Sequence, residues 1–255
     1  MDIISSADNA NIKTLKSLSE KKYRKFYGEY VIEGIKSVKE ALYSGANVTK
    51  LFVSESKQDE FSDIISRFGR VPIVVTDKLF NKISETVTPQ GIMAQVEMKP
   101  SREFNPTSQP FLVLDRISDP GNLGTIIRSA VATGFNDIVL IDTVDVYNPK
   151  TVRSSASGIY FARFYPISED VLIEKCNSAG IEIFVADMAG KNIFNAQLPD
   201  ENYCLVIGNE ANGPSKTLRE AADKIISLPM KSEMESLNAG VCASIMMYTL
   251  KGKEL

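Results

Sequence analysis

The chain has 255 residues, 44% of them hydrophobic and 24% charged, with a formal net charge of -3. That is ordinary globular composition, enough for one large domain or two modest ones, and it does not suggest a chain given over wholesale to nucleic-acid binding. There is no histidine, which excludes a Ser-His-Asp triad, a Cys-His pair, an HExxH zinc site and any imidazole general base.

Asn9 to Leu18 reads as a helix. From Lys13 to Lys39 there are eight basic residues against three acidic ones, with Tyr23, Phe26, Tyr27 and Tyr30 interleaved. That mixture suits phosphate neutralisation with base or ribose stacking. It equally suits a solvated helix face with snorkelling lysines. Lys13, Lys21, Lys22, Arg24 and Lys25 are the candidate RNA contacts.

Tyr30-Val31-Ile32 reads as a strand, and Ile35 to Tyr43 as a helix stopped by Gly45. Strands follow at Leu51–Val53, Val71–Val75 and Gly91–Val96, separated by helical patterns at Phe61–Phe68 and Lys78–Ile83. Such alternation implies a small α/β unit. Lys99 to Pro110 carries three prolines among polar residues, the pattern of an extended connector. The expected division is a domain at 1–98, a linker at 99–110 and a second domain at 111–255.

The second domain shows apolar runs suited to buried parallel strands at Phe111–Leu114, Ile138–Ile141, Ile181–Ala186, Tyr203–Ile207 and Ile225–Leu228. Helical patterns lie between most of them, so the class is an α/β parallel sheet with helices on both faces. The last pattern, Leu237–Leu250, is nearly apolar all round and is expected to be largely buried. No apolar run approaches the roughly 18 residues of a membrane span. Met1–Ser6 lacks the pattern of a secretory signal. Cys176, Cys204 and Cys242 fit a reducing cytosol and no zinc-ligand spacing. The expectation is a cytoplasmic protein with no metal and no membrane partner.

Ligand sites in open α/β sheets gather beyond the carboxyl ends of strands, and three such ends carry unusual residues. After Leu114 comes Asp119-Pro120-Gly121-Asn122, a turn signal leading into a helix. Asn122 stands where an N-cap is expected. Arg128 follows along the helix, with a side chain that points back toward its start. After Ile207 comes Gly208-Asn209-Glu210-Ala211-Asn212-Gly213, with a helix capped near Ser215. After Leu228 come Pro229-Met230 and then Ser236-Leu237-Asn238. Capping explains Ser236 but not Asn238, just inside an apolar helix. Each loop alone is consistent with turns and caps.

Together, in this order, the three segments resemble the SpoU (TrmH-like) family of RNA ribose 2′-O-methyltransferases, in the SPOUT superfamily. The segment up to residue 98, with Tyr30-Val31-Ile32-Glu33-Gly34, resembles the L30e-like substrate-binding domain often joined to them. The resemblance implies a C-terminal trefoil knot, a homodimer with its active site at the subunit interface, and S-adenosylmethionine as cofactor. It places Gly208, Leu228, Met230 and Leu237 at the cofactor, and Arg128, Asn122, Glu210, Ser236 and Asn238 in catalysis. Ala211 and Ser232 depart from glycines common in the family, and Ala239-Gly240 from its usual pair. The chemistry fits the composition, because a sulfonium methyl needs neither metal nor histidine. A guanidinium stays charged, so Arg128 is expected to stabilise a developing oxyanion or anchor a phosphate, with a base role as the other option. Large-subunit ribosomal RNA is the expected substrate. The alternatives are a transfer-RNA ribose methyltransferase and a non-catalytic RNA-binding or ribosome-assembly factor. A nucleotide-dependent oxidoreductase is disfavoured because GxGxxG is missing.

Overall fold

The computed structural model describes residues 3–196, 199–234 and 236–251; Met1, Asp2, Glu235 and the C-terminal end of the expected second domain lie outside it. The chain divides into two compact units, Met1–Lys99 with Tyr147–Arg153, and Pro100–Val146 with Ser154–Leu255.

The first unit contains α1 (Ala10–Ser17), α2 (Lys21–Tyr27), β1 (Glu29–Glu33), α3 (Ile35–Tyr43), β2 (Val48–Ser54), α4 (Ser62–Phe68), β3 (Ile73–Val75), α5 (Asp77–Ile83) and β4 (Ile92–Glu97). Its four-stranded sheet has the order β1-β4-β2-β3. β4 runs antiparallel to both β1 and β2, and β2 runs parallel to β3. Ile12 and Leu15 of α1 pack with Phe52, Val75, Leu79, Phe80, Ile83 and Met93.

α2 was not expected from the sequence, where its residues read only as a basic, aromatic stretch. Gly28 at φ +66° ends it, in a left-handed conformation that glycine adopts without steric cost. Arg24 corrects the reading of that stretch. Its side chain is 2% exposed and donates to the carbonyls of Leu18 (2.8 Å) and Ser19 (2.6 Å), just past the end of α1. It satisfies carbonyls that a helix end leaves open, and is not an RNA contact. Tyr30 is likewise buried, packed against Tyr147.

The second unit contains β5 (Phe111–Asp115), α6 (Pro120–Ala132), β6 (Asp137–Ile141), α7 (Pro149–Ser154, whose first residues cluster with the first unit), α8 (Gly158–Phe161), β7 (Arg163–Pro166), α9 (Glu169–Ala179), β8 (Glu182–Asn192), β9 (Tyr203–Ile207), α10 (Lys216–Glu220), β10 (Lys224–Ser227) and α11 (Ala239–Lys251). Its six-stranded sheet has the order β10-β8-β9-β5-β6-β7 and every pairing is parallel. The sixth strand, β7, escaped the sequence reading because it is four residues long and ends in proline. Proline is tolerated there because β7 is an edge strand.

The chain runs outward from β5 through β6 to β7, then restarts at β8 on the other side. β9 inserts between β8 and β5, and β10 closes the outer edge. The strand order therefore reverses beside β5, where open parallel sheets leave a crevice.

Two expectations need correction. The connector is not wholly extended into solvent: Phe104 is 3% exposed and packs on Phe111 and Tyr165, while Lys175 donates to Asn105. Nor is α11 buried all round. Gly240, Ala243, Met246 and Met247 face inward, but Val241, Ile245 and Tyr248 are 46%, 37% and 49% exposed. The inner face lies on α6, with the Ser129 and Ser244 hydroxyls 2.6 Å apart. Among the described residues nothing buries the outer one.

Since the Phe104 ring fills part of the second unit's core, Phe104→Ala is expected to cost about 3 kcal/mol of stability. Urea unfolding of the full chain measures it; a connector that merely spans two domains gives no change.

Candidate active site

Three loops leave the same carboxyl edge of the sheet, after β5, β9 and β10. The first enters α6 through Asp119, whose carboxylate accepts from the Asn122 backbone N–H at 2.8 Å. Asp119 is thus the N-cap and Pro120 opens the helix. The expected cap, Asn122, stands inside the first turn, which frees its side chain for other partners.

Those partners lie on the other two loops. Asn122 Nδ2 donates to Glu210 Oε1 at 2.9 Å, and Asn122 Oδ1 accepts from Asn238 Nδ2 at 2.8 Å. Asn238 Oδ1 accepts from the backbone N–H groups of Gly240 (2.9 Å) and Val241 (3.2 Å). Asn238 is therefore the side chain that caps α11, the reverse of the reading that gave capping to Ser236. Ser236 is exposed and makes no hydrogen bond to the described residues.

Glu210 is where the first two loops converge. Its Oε2 accepts from the backbone N–H (3.2 Å) and hydroxyl (3.0 Å) of Ser118, and its Oε1 from the Asp119 N–H at 3.2 Å. Partial burial works to raise its pKa, but the bonds from Asn122 and from backbone N–H groups outweigh it and hold the carboxyl below the usual glutamate value. All of these partners lie on the loop after β5 and the first turn of α6, and none is Arg128.

The second loop folds on Asn209, which the sequence reading passed over. Its Oδ1 accepts from the N–H groups of Ala211 (3.0 Å) and Asn212 (3.1 Å), its carbonyl from Gly213 (2.9 Å), and its Nδ2 donates to the Arg116 carbonyl (2.8 Å). An Asn beside Gly in a strand-end turn is the available signal. A side chain at Gly208 would put Cβ 2.1 Å from the Pro214 nitrogen, so only glycine fits. Ala211 and Ser232 do not take positive φ, so the backbone conformation at neither position demands a glycine.

Buried Asp115 ties the same loops from below. It accepts from Arg116 Nε and Nη2 at 2.8 and 3.0 Å and from the Ser215 N–H at 2.7 Å. The remaining cofactor candidates surround the third loop: Leu228 and Met230 are half-buried and Leu237 is exposed.

Arg128 is not gathered into this string. It is exposed and has no hydrogen-bond or ion-pair partner among the described residues. At 3.6 residues per turn it points about 120° around α6 from Asn122. In the first unit, Lys13, Lys21, Lys22 and Lys25 are exposed, with Lys13 paired to Asp8 and Lys22 to Glu20, each at 3.0 Å.

No helix among the described residues is long and apolar enough to cross a membrane, and they hold no cluster of potential metal ligands.

Residues 109–248 match the SpoU rRNA Methylase family. The chain belongs to that family. Residues 9–94 match the MRM3-like substrate binding domain. Among its relatives is the 23S rRNA (guanosine(2553)-2′-O)-methyltransferase RlmP of Bacillus subtilis, 32% identical over 99% of this chain and 100% of that protein. The 23S rRNA (uridine(2479)-2′-O)-methyltransferase of Streptomyces viridochromogenes is 30% identical over 87% of this chain and 82% of its own length. An AdoMet-bound rRNA methyltransferase from Sinorhizobium meliloti superposes with a TM-score of 0.88, covering 100% of this chain and 98% of that one at 26% identity.

Because Glu210 titrates below its ordinary value, its bonds to the first loop stabilise the folded state above the unfolded glutamate pKa of about 4.3. They are lost as pH falls through the lower folded value. Glu210→Gln is therefore expected to be less stable than wild type by a constant margin between pH 6 and 8, and the two should converge on acidification below about pH 4. Urea unfolding across that range checks the sign.

Proposed function

We propose that this SpoU rRNA methylase methylates the 2′-hydroxyl of a ribose in large-subunit ribosomal RNA, using S-adenosylmethionine. The observation that carries the reading is the string Glu210–Asn122–Asn238, which binds three strand-end loops into one polar mouth without an imidazole. The ribosomal substrates of the relatives support the choice of RNA.

Gly208, Leu228, Met230 and Leu237 hold the cofactor. Gly208 lets the loop close on its own Gly213–Pro214 backbone and so shapes that side of the site, and the apolar side chains suit the adenine and aliphatic parts of the cofactor. Bound there, S-adenosylmethionine supplies a methyl group on a positively charged sulfur. The protein places the ribose oxygen in line with that carbon and stabilises the negative charge that grows as the hydroxyl proton leaves for solvent. Arg128 supplies the positive charge, at the ribose oxygen or the adjacent phosphate. Asn122 and Asn238 hold the loops and present amide groups to the sugar, and Ser236 adds a hydroxyl from the third loop.

Arg128 points away from the string of its own chain, and α11 leaves Val241, Ile245 and Tyr248 uncovered. Both observations support a homodimer in which α11 faces its counterpart and each Arg128 serves a site completed by the partner. Membership of the SpoU family supports a trefoil-knotted C-terminal segment. Residues 1–98 bind the RNA through Lys13, Lys21, Lys22 and Lys25, residues 99–110 connect, and residues 111–255 carry the chemistry. The enzyme works in the cytoplasm, where ribosomal RNA meets it.

The direct test is transfer of labelled methyl from S-adenosylmethionine to unmodified large-subunit RNA, with the modified ribose then mapped; transfer only to transfer RNA, or none, rejects the reading. Arg128→Ala is expected to lower turnover by at least about 100-fold, the scale of one lost charge-stabilising group, with cofactor affinity by calorimetry nearly unchanged. Turnover within tenfold of wild type rejects its assignment. Ile245→Asp places a charge on the uncovered α11 face. It should yield a folded, inactive monomer in light scattering, whereas an active monomer rejects the shared site.

A further inference from the structure

The lysines of the first unit explain attraction to RNA but not how a nucleotide is chosen. α2 carries a second feature. Phe26 is 78% exposed and Tyr27 44% exposed, with ring centroids 4.9 Å apart at 87°. A phenyl ring left so open on a seven-residue helix has no role in the unit's own core.

The rotation of α2 about its axis is fixed. Arg24 is turned inward onto the Leu18 and Ser19 carbonyls. By helical spacing the opposite face carries Lys22, Lys25 and Phe26. The helix has four basic residues, Lys21, Lys22, Arg24 and Lys25, and no acidic one. Lys22 pairs with Glu20 at 3.0 Å, but both are more than half exposed, so a phosphate displaces that carboxylate at little cost.

We propose that Phe26, edged by Tyr27, is a stacking platform for one unpaired RNA base, and that Lys22 and Lys25 neutralise the phosphates on either side of it. This rests on the reading of the chain as an RNA methyltransferase and adds what its substrate must offer. An apolar protein partner is poorly matched to a ring surrounded by lysines, whereas a nucleotide brings a π-face and flanking negative charge together. The base must be unpaired, because the faces of a base inside a duplex are already stacked. The recognised RNA therefore has a loop, bulge or single strand within reach of the first unit.

The chain has no tryptophan, so Phe26→Trp is a single-tryptophan reporter, excited selectively over the tyrosines, at this position. With the full-length protein, a single-stranded oligonucleotide copied from the large-subunit RNA should quench its emission, and the same sequence as a duplex should not. Phe26→Ala and Phe26→Leu should bind the single strand about tenfold more weakly, on the scale of one lost stack. Phe26→Tyr should bind like wild type, and all should unfold at the wild-type temperature. Leucine keeps the apolar surface without the ring, so wild-type affinity in Phe26→Leu overturns stacking. Unquenched tryptophan with RNA bound overturns the site. Unchanged RNA affinity in Phe26→Ala assigns the ring to a protein contact and overturns the proposal while leaving the methyltransferase reading intact. Failure of the wild type to bind or methylate any RNA overturns both.

Discussion

The carboxylate of Glu210 fixes the geometry of the polar mouth. It is an acceptor only, and it sits where the loop after β9 meets the loop after β5. Donors from Ser118, Asp119 and Asn122 converge on it. Without it, two backbone N–H groups at the start of α6 lose their partner, and Asn122 loses what orients its amide. Once Asn122 is oriented its oxygen faces Asn238, which completes the link to α11. One side chain thereby sets the relative position of segments nearly a hundred residues apart in sequence.

The link is doubled beneath the surface. Asp115 ends β5 with no exposure and accepts both from Arg116 and from the Ser215 N–H at the start of α10. A buried carboxylate is tolerated only when it is charge-paired and fully hydrogen-bonded, and here the guanidinium is held bidentate in the adjoining position. The loop bearing Gly208 and Glu210 is thus clamped at both ends.

Much of this was legible in the sequence because parallel strands buried on both faces must be apolar throughout. Tyr203–Ile207 is found as read, β5 and β6 each gain a residue at one end, and β10 moves by one residue as a whole. β8 was read too short because its far half is polar and gains its pairing to β10 only across a register shift. The loop residues were legible as a set of types at strand ends, but their division of labour was not. Asx side chains cap, turn or bridge with equal ease, and which they do depends on what the fold brings opposite. Asn122 and Asn238 bridge, Asp119 caps, Asn209 shapes the turn and Asn238 caps as well. No spacing rule separates those cases. Arg24 was misread for a related reason: a cation among cations looks like surface until a helix end with open carbonyls is placed beside it.

The two-sided apolarity of α11 follows from the same limit. A sequence shows that a helix has two apolar faces, but not that both are covered in one chain. One face packs on α6, where Gly240 comes so close to Thr125 that an added Cβ would sit 3.1 Å from its methyl. The other presents Val241, Ile245 and Tyr248 at the spacing of one helical stripe. Asn238 caps this helix and also binds Asn122. The start of α11 is therefore registered to the polar mouth at one end of the stripe, so whatever covers that stripe is positioned relative to the three strand-end loops by a single hydrogen-bonded side chain.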